Sequence, residues 1–321
     1  MPNTSRLNRL RPETCCKVLL PGLLALFLLL AAACGDRGDD KTAAEAPVAV
    51  AEPVRLVIGL LPEQNVFVQR RRYLPIADYL AAAAGVEIEL KIIRRYGNVM
   101  EHFRREQLDG AFLGSFTGAW AIENLGVVPL ARPQYPDGVS TYYGMIFVRK
   151  DSGIRSAADT RGKICVFVDP ATTAGWLLPL HSFHDHEIPF EEGWFKEVYF
   201  SGSHEGSIRD VLEGRADIGA AKDLVFDMVA RQEPQVLEEL EILAVSPPVP
   251  SNTLAVRGDL DQELQDRLKR ALLTMHETPA GVKALEEFGA VRFLATTRED
   301  YEPVFDYAWA VGLDLADYQG P

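Results

Sequence analysis

Basic charge is scarce in this sequence. Lys and Arg total 33 against 46 Asp and Glu, a formal net charge of −13. A general nucleic-acid binder needs a basic face for the phosphate backbone, so that class is excluded. A small anion is not excluded, because a pocket can be locally positive in an acidic protein. Cysteine is scarce too, with four in 321 residues. Cys15 and Cys16 lie in the N-terminal stretch and Cys34 just after it. That leaves Cys165, inside the apolar run Ile164-Cys165-Val166-Phe167-Val168, where a lone thiol is packing rather than chemistry. With no C-x-x-C spacing, zinc-ribbon and thioredoxin chemistry are excluded. H-E-x-x-H, G-x-S-x-G and P-loop patterns are absent, as is any repeat of solenoid period. No uncharged apolar run reaches the ~20 residues of a membrane span.

The longest such run covers residues 18–33. Arg6, Arg9, Arg11 and Lys17 precede it against Glu13, a local charge of +3. A basic start, an apolar middle and small residues at the end form the pattern of a secretory signal over residues 1–33. Removing 33 of 321 residues and their +3 leaves 288 residues at −16. Leu30-Ala31-Ala32-Ala33-Cys34 closes the segment and looks like a bacterial lipobox, in which Cys34 takes a diacylglycerol and becomes the new N-terminus. Ala31 stands where Leu is commonest. Ordinary cleavage after Ala33 and an uncleaved membrane anchor are the alternatives. Residues 34–53 are small, charged and Pro-bearing, and read as a flexible tether.

An apolar fraction of 47% with 9% aromatics suffices for packed cores, and the length suits two domains. Strand patterns at 54–60, 86–93, 110–113 and 127–131 alternate with helical ones at 67–84, 98–107 and 117–124. Pro75 suits a helix first turn, which would start that helix near Leu74. A second series has strands at 145–148, 163–168, 196–200, 217–220 and 240–245, with helices at 176–184, 207–213 and 224–231. Pro247-Pro248-Val249-Pro250 is expected to break regular structure. A strand at 253–256 and helices at 262–275, 281–288 and 299–311 follow. The alternation predicts α/β architecture with parallel-rich sheets. If the first series is interrupted near Ser140 and resumes near Asn252, residues 54–140 plus 252–321 form lobe 1 and residues 141–251 form lobe 2. Two crossings would then join the lobes around a cleft able to shut by hinge motion. Two tandem domains are the alternative.

Three segments share one layout of apolar strand, hydroxyl-rich loop and helix start. They are Phe112-Leu113-Gly114-Ser115-Phe116-Thr117, Val168-Asp169-Pro170-Ala171-Thr172-Thr173-Ala174-Gly175 and Phe200-Ser201-Gly202-Ser203-His204. Loops at the carboxyl ends of strands are where open α/β sheets bind ligands. Helix starts offer unpaired N–H groups and a positive dipole end to an anion. Thr172, Thr173 and His204 add donors, with plain N-capping as the competing role. His181, His184 and His186, spaced by three and two, do not share a helical face, so no metal is expected there.

These motifs carry a resemblance. From Val54 to Trp309 the chain resembles the phosphate/phosphite/phosphonate substrate-binding proteins of ABC transporters, which have the two-lobed type II periplasmic-binding fold. The marks are Arg95-Tyr96, Asp109-Gly110, Asp151-Ser152-Gly153-Ile154, Arg161-Gly162-Lys163, Asp169-Pro170-x-Thr172-Thr173-Ala174-Gly175, Gly202-Ser203-His204 and Gly214-x-x-Asp217. The family loop commonly reads Ser-Thr-Ser-Gly, so Ala174 lacks a hydroxyl, and Glu205 stands where Asp is usual.

The resemblance implies oxyanion contacts from Tyr96, Thr172, Thr173 and His204, with Ser115 in the first loop and Tyr142 or Tyr143 facing the cleft. Lys222 adds a charge to the site or is a solvated helix start. An ammonium-bearing ligand would want a carboxylate cage, for which Asp223, Asp227 and Glu205 are candidates that fit exposed helix positions equally well. The implied protein is a monomeric, lipid-anchored, periplasmic binding protein that takes a small phosphorus oxyanion and presents it to an ABC permease. It needs no cofactor or nucleic acid. The alternatives are a sensory module of the same fold and an enzyme like the pyrimidine-precursor synthases that share it.

Overall fold

The computed structural model describes residues 53–320 apart from 106, 191 and 192. The signal at 1–33, Cys34 and all but the last tether residue lie outside the described residues.

The first series gives β1 (Arg55–Leu60), α1 (Val66–Ala84), β2 (Glu87–Ile92), α2 (Val99–Arg105), β3 (Gly110–Leu113), α3 (Ser115–Leu125) and β4 (Val128–Gln134). A short β5 (Thr141–Tyr142) follows. The second series is β6 (Gly144–Arg149), β7 (Ile164–Phe167), α4 (Leu178–Asp185), β8 (Glu197–Phe200), α5 (His204–Leu212), β9 (Ile218–Lys222), α6 (Asp223–Gln232), α7 (Gln235–Glu239) and β10 (Leu240–Val245). The chain then returns through β11 (Val249–Pro250) to β12 (Thr253–Val256), α8 (Gln262–Thr274), α9 (Pro279–Phe288), β13 (Arg292–Ala295) and α10 (Glu302–Ala310).

Among the described residues these strands form two main sheets, ordered β13-β4-β12-β3-β1-β2 and β10-β6-β9-β7-β8. Neither is as uniformly parallel as the alternation suggests. β12 runs antiparallel to both β3 and β4, and β6 runs antiparallel to both β9 and β10. Each is a strand entered from, or returning to, the other sheet, so its direction is set by the crossing and not by a β–α–β turn. The crossings lie side by side, with Tyr142 opposite Val249 and Thr141 opposite Pro250 in an antiparallel ribbon. Val249-Pro250 therefore keeps strand structure where the prolines were expected to break it. Proline is tolerated in this two-stranded ribbon because an edge has a side with no ladder bond to lose.

Strand alternation divides each lobe into two cores. In the first, Leu56, Ile58, Leu60 and Phe112 face α1, α8 and α9, while Ala111 and Leu113 face the opposite way. In the second, Met145 and Phe147 pack under α5 and α6, while Ile146, Val148 and Cys165 pack under α4. One of the four clusters crosses between lobes. It joins Leu61, Tyr96 and Phe116 to Val168, Ala174 and Leu178, with Val304, Ala308 and Leu315 from the C-terminal segment. The described residues are thus in a closed arrangement, with apolar side chains shared across the cleft.

α1 begins at Val66, not near Leu74. Asn65 Oδ1 accepts the N–H groups of Phe67 and Val68, which nucleates the helix well before Pro75. Pro75 then stands inside the helix, a position that ordinarily costs about 3 kcal/mol. Burial of Tyr73, Ile76, Ala77 and Leu80 against the sheet offsets that cost.

Candidate functional site: an interlobe anion cavity

The three hydroxyl-rich loops converge. Gly114, Phe116 and Thr117 from the first, Ala171, Thr172, Thr173 and Ala174 from the second, and His204 from the third line one small cavity. Tyr96, Tyr142, Lys222, Glu63 and Asn252 complete the wall.

The loop before α4 is shaped from within. Asp169 Oδ1 accepts the Ala171 N–H at 2.9 Å, and Thr172 Oγ1 donates to the Asp169 carbonyl at 2.7 Å. Thr172 therefore commits its hydroxyl proton to its own loop. Burial raises the Asp169 carboxyl above its ordinary value, against hydrogen bonds from Ala171 and Gly97 and the charge of Arg95. The chain then enters a π-helical turn, Thr173–Leu177, which leads into α4. A Cβ at Gly175 would overlap the Val168 side chain, so only glycine lets this helix start lie against the strand it follows. Thr173 Oγ1 accepts the Phe116 N–H across the cleft at 2.7 Å, which leaves its own proton available to donate.

At the third loop, Gly202 turns the chain with φ of 80° and Ser203 caps α5 by accepting the Gly206 N–H. His204 is buried, and its Nδ1 accepts the Lys222 backbone N–H at 3.2 Å. That bond requires a lone pair on Nδ1, so the ring proton sits on Nε2. Burial pushes the imidazole down to about 4, with Lys222 adding to the shift and Glu63 opposing it. His204 is therefore a neutral donor through Nε2. Tyr96 stands edge-on to it with ring centroids 6.1 Å apart. The Tyr96 hydroxyl is buried and has no hydrogen-bond partner among the described residues.

Lys222 is not a solvated helix start. It ends β9, is 3% exposed, and its Nζ donates to Glu63 Oε1 at 3.1 Å and Asn252 Oδ1 at 2.9 Å. The ammonium also lies 4.3 Å from the centroid of the Tyr142 ring. Burial works to lower its pKa, but the Glu63 charge together with Tyr135, Tyr142 and Tyr73 outweighs it and holds the group above its ordinary value. Burial alone would raise the Glu63 carboxyl. The Lys222 ammonium, by charge and hydrogen bond, and the Arg72 charge work against that, and the carboxyl stays below the usual range.

Of the two neighbouring tyrosines, Tyr142 is buried at the cavity and Tyr143 is 36% exposed. Ser115 stands behind the wall. Its Oγ donates to the Pro250 carbonyl at 2.6 Å, which leaves the Tyr142 hydroxyl to donate to Ser115 Oγ at 3.0 Å. The three carboxylates considered for an ammonium cage lie elsewhere. Asp223 is buried and accepts the Tyr143 N–H, and burial pushes its carboxyl up to about 6. Asp227 is exposed. Glu205 accepts the Asn65 N–H across the cleft and pairs with Arg209. Among the histidines, His181 Nδ1 faces Asp185 and His186 Nδ1 faces the Ser182 carbonyl.

Sequence reasoning missed Glu63 and Asn252. Glu63 had a readable signal, because Leu61-Pro62-Glu63-Gln64-Asn65 links β1 to α1 in the same strand–loop–helix layout as the other three loops.

Two mixed sheets, paired crossings and a cavity between them define a two-lobed binding protein of the type II class. A structure from Pseudomonas aeruginosa, a binding-protein component of an ABC phosphonate transporter, aligns with TM-score 0.75 at 18% identity over 81% of this chain and 87% of its own. PhnD1 from Prochlorococcus marinus in complex with methylphosphonate aligns with TM-score 0.71 at 22% identity, over 80% and 98%. The Phosphate-import protein PhnD of Mycolicibacterium smegmatis is 27% identical over 92% of this chain and 91% of its own length. The Phosphonates-binding periplasmic protein of Escherichia coli is 23% identical over 77% and 73%. The family model for the ABC transporter phosphonate periplasmic substrate-binding protein matches residues 58–301, and the chain belongs to that family. It is accordingly a periplasmic substrate-binding protein for transport. No helix among the described residues is long and apolar enough to cross a membrane.

Proposed function

We propose that this chain captures a small phosphorus oxyanion, such as a phosphonate, phosphite or phosphate, and presents it to an ABC permease without chemical turnover. The observation that carries this reading is the buried, unpartnered hydroxyl of Tyr96, a residue of the wall of a cavity that Thr173 and His204 also line. An orphaned buried hydroxyl costs about 1–3 kcal/mol, so a bound acceptor is its natural complement. The relatives' names, phosphonates-binding, phosphate-import and a methylphosphonate complex, support the same ligand class. Capture is lobe closure, since the Thr173–Phe116 and Lys222–Glu63 bonds run from one lobe to the other.

The test is a thermal-shift panel of phosphate, phosphite, methylphosphonate, 2-aminoethylphosphonate and sulfate. A ligand that selects the folded form raises the melting temperature, and at 100 times its Kd it adds about 2.7 kcal/mol. No shift with any phosphorus oxyanion sinks the reading.

Anchoring through Cys34 belongs to the same proposal, with residues 34–53 as tether and a monomer as the working form. Cys34→Ala should release the protein from membranes into the soluble periplasmic fraction. Membrane association unchanged by the substitution rules the anchor out. Stable anchoring takes more than one acyl chain, which is the usual endowment of a bacterial lipoprotein.

A further inference from the structure

The Lys222 ammonium lies in surroundings that recognise ammonium groups in general: a carboxylate oxygen at 3.1 Å, an amide oxygen at 2.9 Å and an aromatic face at 4.3 Å. All three groups line the cavity. We propose that Lys222 is a specificity-determining residue whose own ammonium fills the cage that a ligand ammonium would need, so that the site takes phosphorus oxyanions with uncharged substituents and rejects aminoalkylphosphonates. This rests on the reading of the ligand as a phosphorus oxyanion.

The alternatives within the site are closed off by position. Glu63 is the carboxylate in the cavity wall, and its charge is matched by Lys222. Asp223 is turned to the Tyr143 N–H and Glu205 to Asn65 and Arg209, so neither takes over the role of counter-ion. Lys222 itself has little freedom to withdraw. It is the last residue of β9, paired in register with Gly144, and its backbone N–H is held by His204. A second ammonium brought beside it would meet a like charge at close range with no water to screen it. The cage joins lobes as well, since Glu63 precedes α1 and Asn252 follows the second crossing, while Lys222 ends β9. Closure therefore assembles the cage around the protein's own cation each time the cleft shuts.

The experiment is calorimetric titration of the wild-type protein and Lys222→Ala with methylphosphonate and 2-aminoethylphosphonate. Like-charge juxtaposition at a buried site costs several kcal/mol, so the wild-type protein should favour methylphosphonate by about 100-fold or more. Lys222→Ala vacates the cage and leaves Glu63 in need of a cation, so the preference should shift towards the aminated ligand by at least ~10-fold. The double variant Glu63→Gln/Lys222→Met leaves no unpaired buried charge and serves if Lys222→Ala does not fold. Its preference for methylphosphonate should also narrow by about 10-fold, since the repelling cation is gone. Equal affinity of the wild-type protein for the two ligands overturns the proposal. So does a preference unchanged in both variants. If the wild-type protein gives no saturable heat with either of these ligands, phosphite or phosphate, the ligand reading has failed and takes this inference with it, a result distinct from equal binding.

Discussion

The cavity has two walls of different chemistry. One is made of neutral donors: the Thr173 hydroxyl, His204 Nε2–H, the Tyr96 hydroxyl and the first turns of α3 and the helix at Thr173. The other is a compensated ion pair, Lys222 with Glu63, steadied by Asn252 and the Tyr142 ring. The neutral wall offers donors to an anion and carries no charge of its own. The charged wall adds no net charge either, yet each half of it is costly to leave alone. On the proposed reading the neutral wall supplies donors and the charged wall sets which substituents are accepted, and substitutions can separate these roles.

The largest effect is expected at the charged wall. Lys222→Met leaves the Glu63 carboxylate buried, unpaired and facing an anionic ligand. Breaking a buried pair this way costs about 3–5 kcal/mol, so affinity for a plain oxyanion should fall at least ~100-fold. Glu63→Gln/Lys222→Met should recover most of that loss, because no charge remains unpaired. Titration calorimetry of the two variants reads the comparison directly. A double variant as weak as the single one shows that Lys222 holds the ligand itself, not merely the wall.

The neutral wall should show itself in acid. His204 titrates at about 4 in the folded protein against an ordinary value of 6.5, so the unfolded chain binds more protons between those values. Stability then falls as pH drops from 6.5 to 4, by up to about 3 kcal/mol, and levels off below. Asp223 acts in the opposite sense. Its carboxyl is raised to about 6 from 3.8, so its contribution is present at low pH and is lost as pH rises through that window. Denaturant melts at several pH values should give a shallower acid decline for His204→Gln and a steeper one for Asp223→Asn. Identical slopes in both variants would show that His204 is not held neutral.

How far the two walls were legible follows from how each is made. The neutral wall lies in contiguous motifs, where strand, loop and helix start are read off neighbouring residues, and β3 and β12 agree with their apolar runs to the residue. The charged wall joins residues 159 positions apart, and no local pattern connects them. Lys222 was ambiguous because a lysine beside Asp223 at the start of an amphipathic helix has the local look of a solvated residue. Its burial depends on β9 lying between β6 and β7. β13, at Arg292–Ala295, went unread. The start of α1 was misplaced because the conformational preference of Pro75 was weighed above the Asn65 cap.

Thr173→Val removes one donor of the neutral wall and also the acceptor that holds the Phe116 N–H across the cleft. A hydrogen bond to a charged group is worth about 1.5–3 kcal/mol, so affinity should fall roughly 10- to 100-fold. Because Thr172 donates within its own loop, Thr172→Val should instead act on stability, through the turn at Asp169. If Thr172→Val lowers affinity and leaves melting unchanged, the two threonines have exchanged roles relative to their geometry here.

The smallest effect distinguishes Tyr142 from Tyr143, which are adjacent in sequence but differ in burial. Tyr142→Phe keeps the ring against the Lys222 ammonium and removes the hydroxyl that reaches Ser115. Ser115 Oγ still donates to the Pro250 carbonyl, while the Ser115 N–H loses its long 3.4 Å bond to the hydroxyl, and the cost should be about 0.5–1.5 kcal/mol. That cost falls on closure, because the bond joins the first crossing to the start of α3, and it should appear as a 2- to 10-fold loss of affinity, roughly. Tyr143→Phe removes a hydroxyl from a partly exposed ring, and surface changes of this kind stay within about 0.5 kcal/mol. Its backbone N–H bond to Asp223 is untouched. Titration of both variants with the same oxyanion decides the matter. A larger loss from Tyr143→Phe would place the ligand outside the cavity between the lobes, nearer the exposed ring, and would undo the division of the site into two walls.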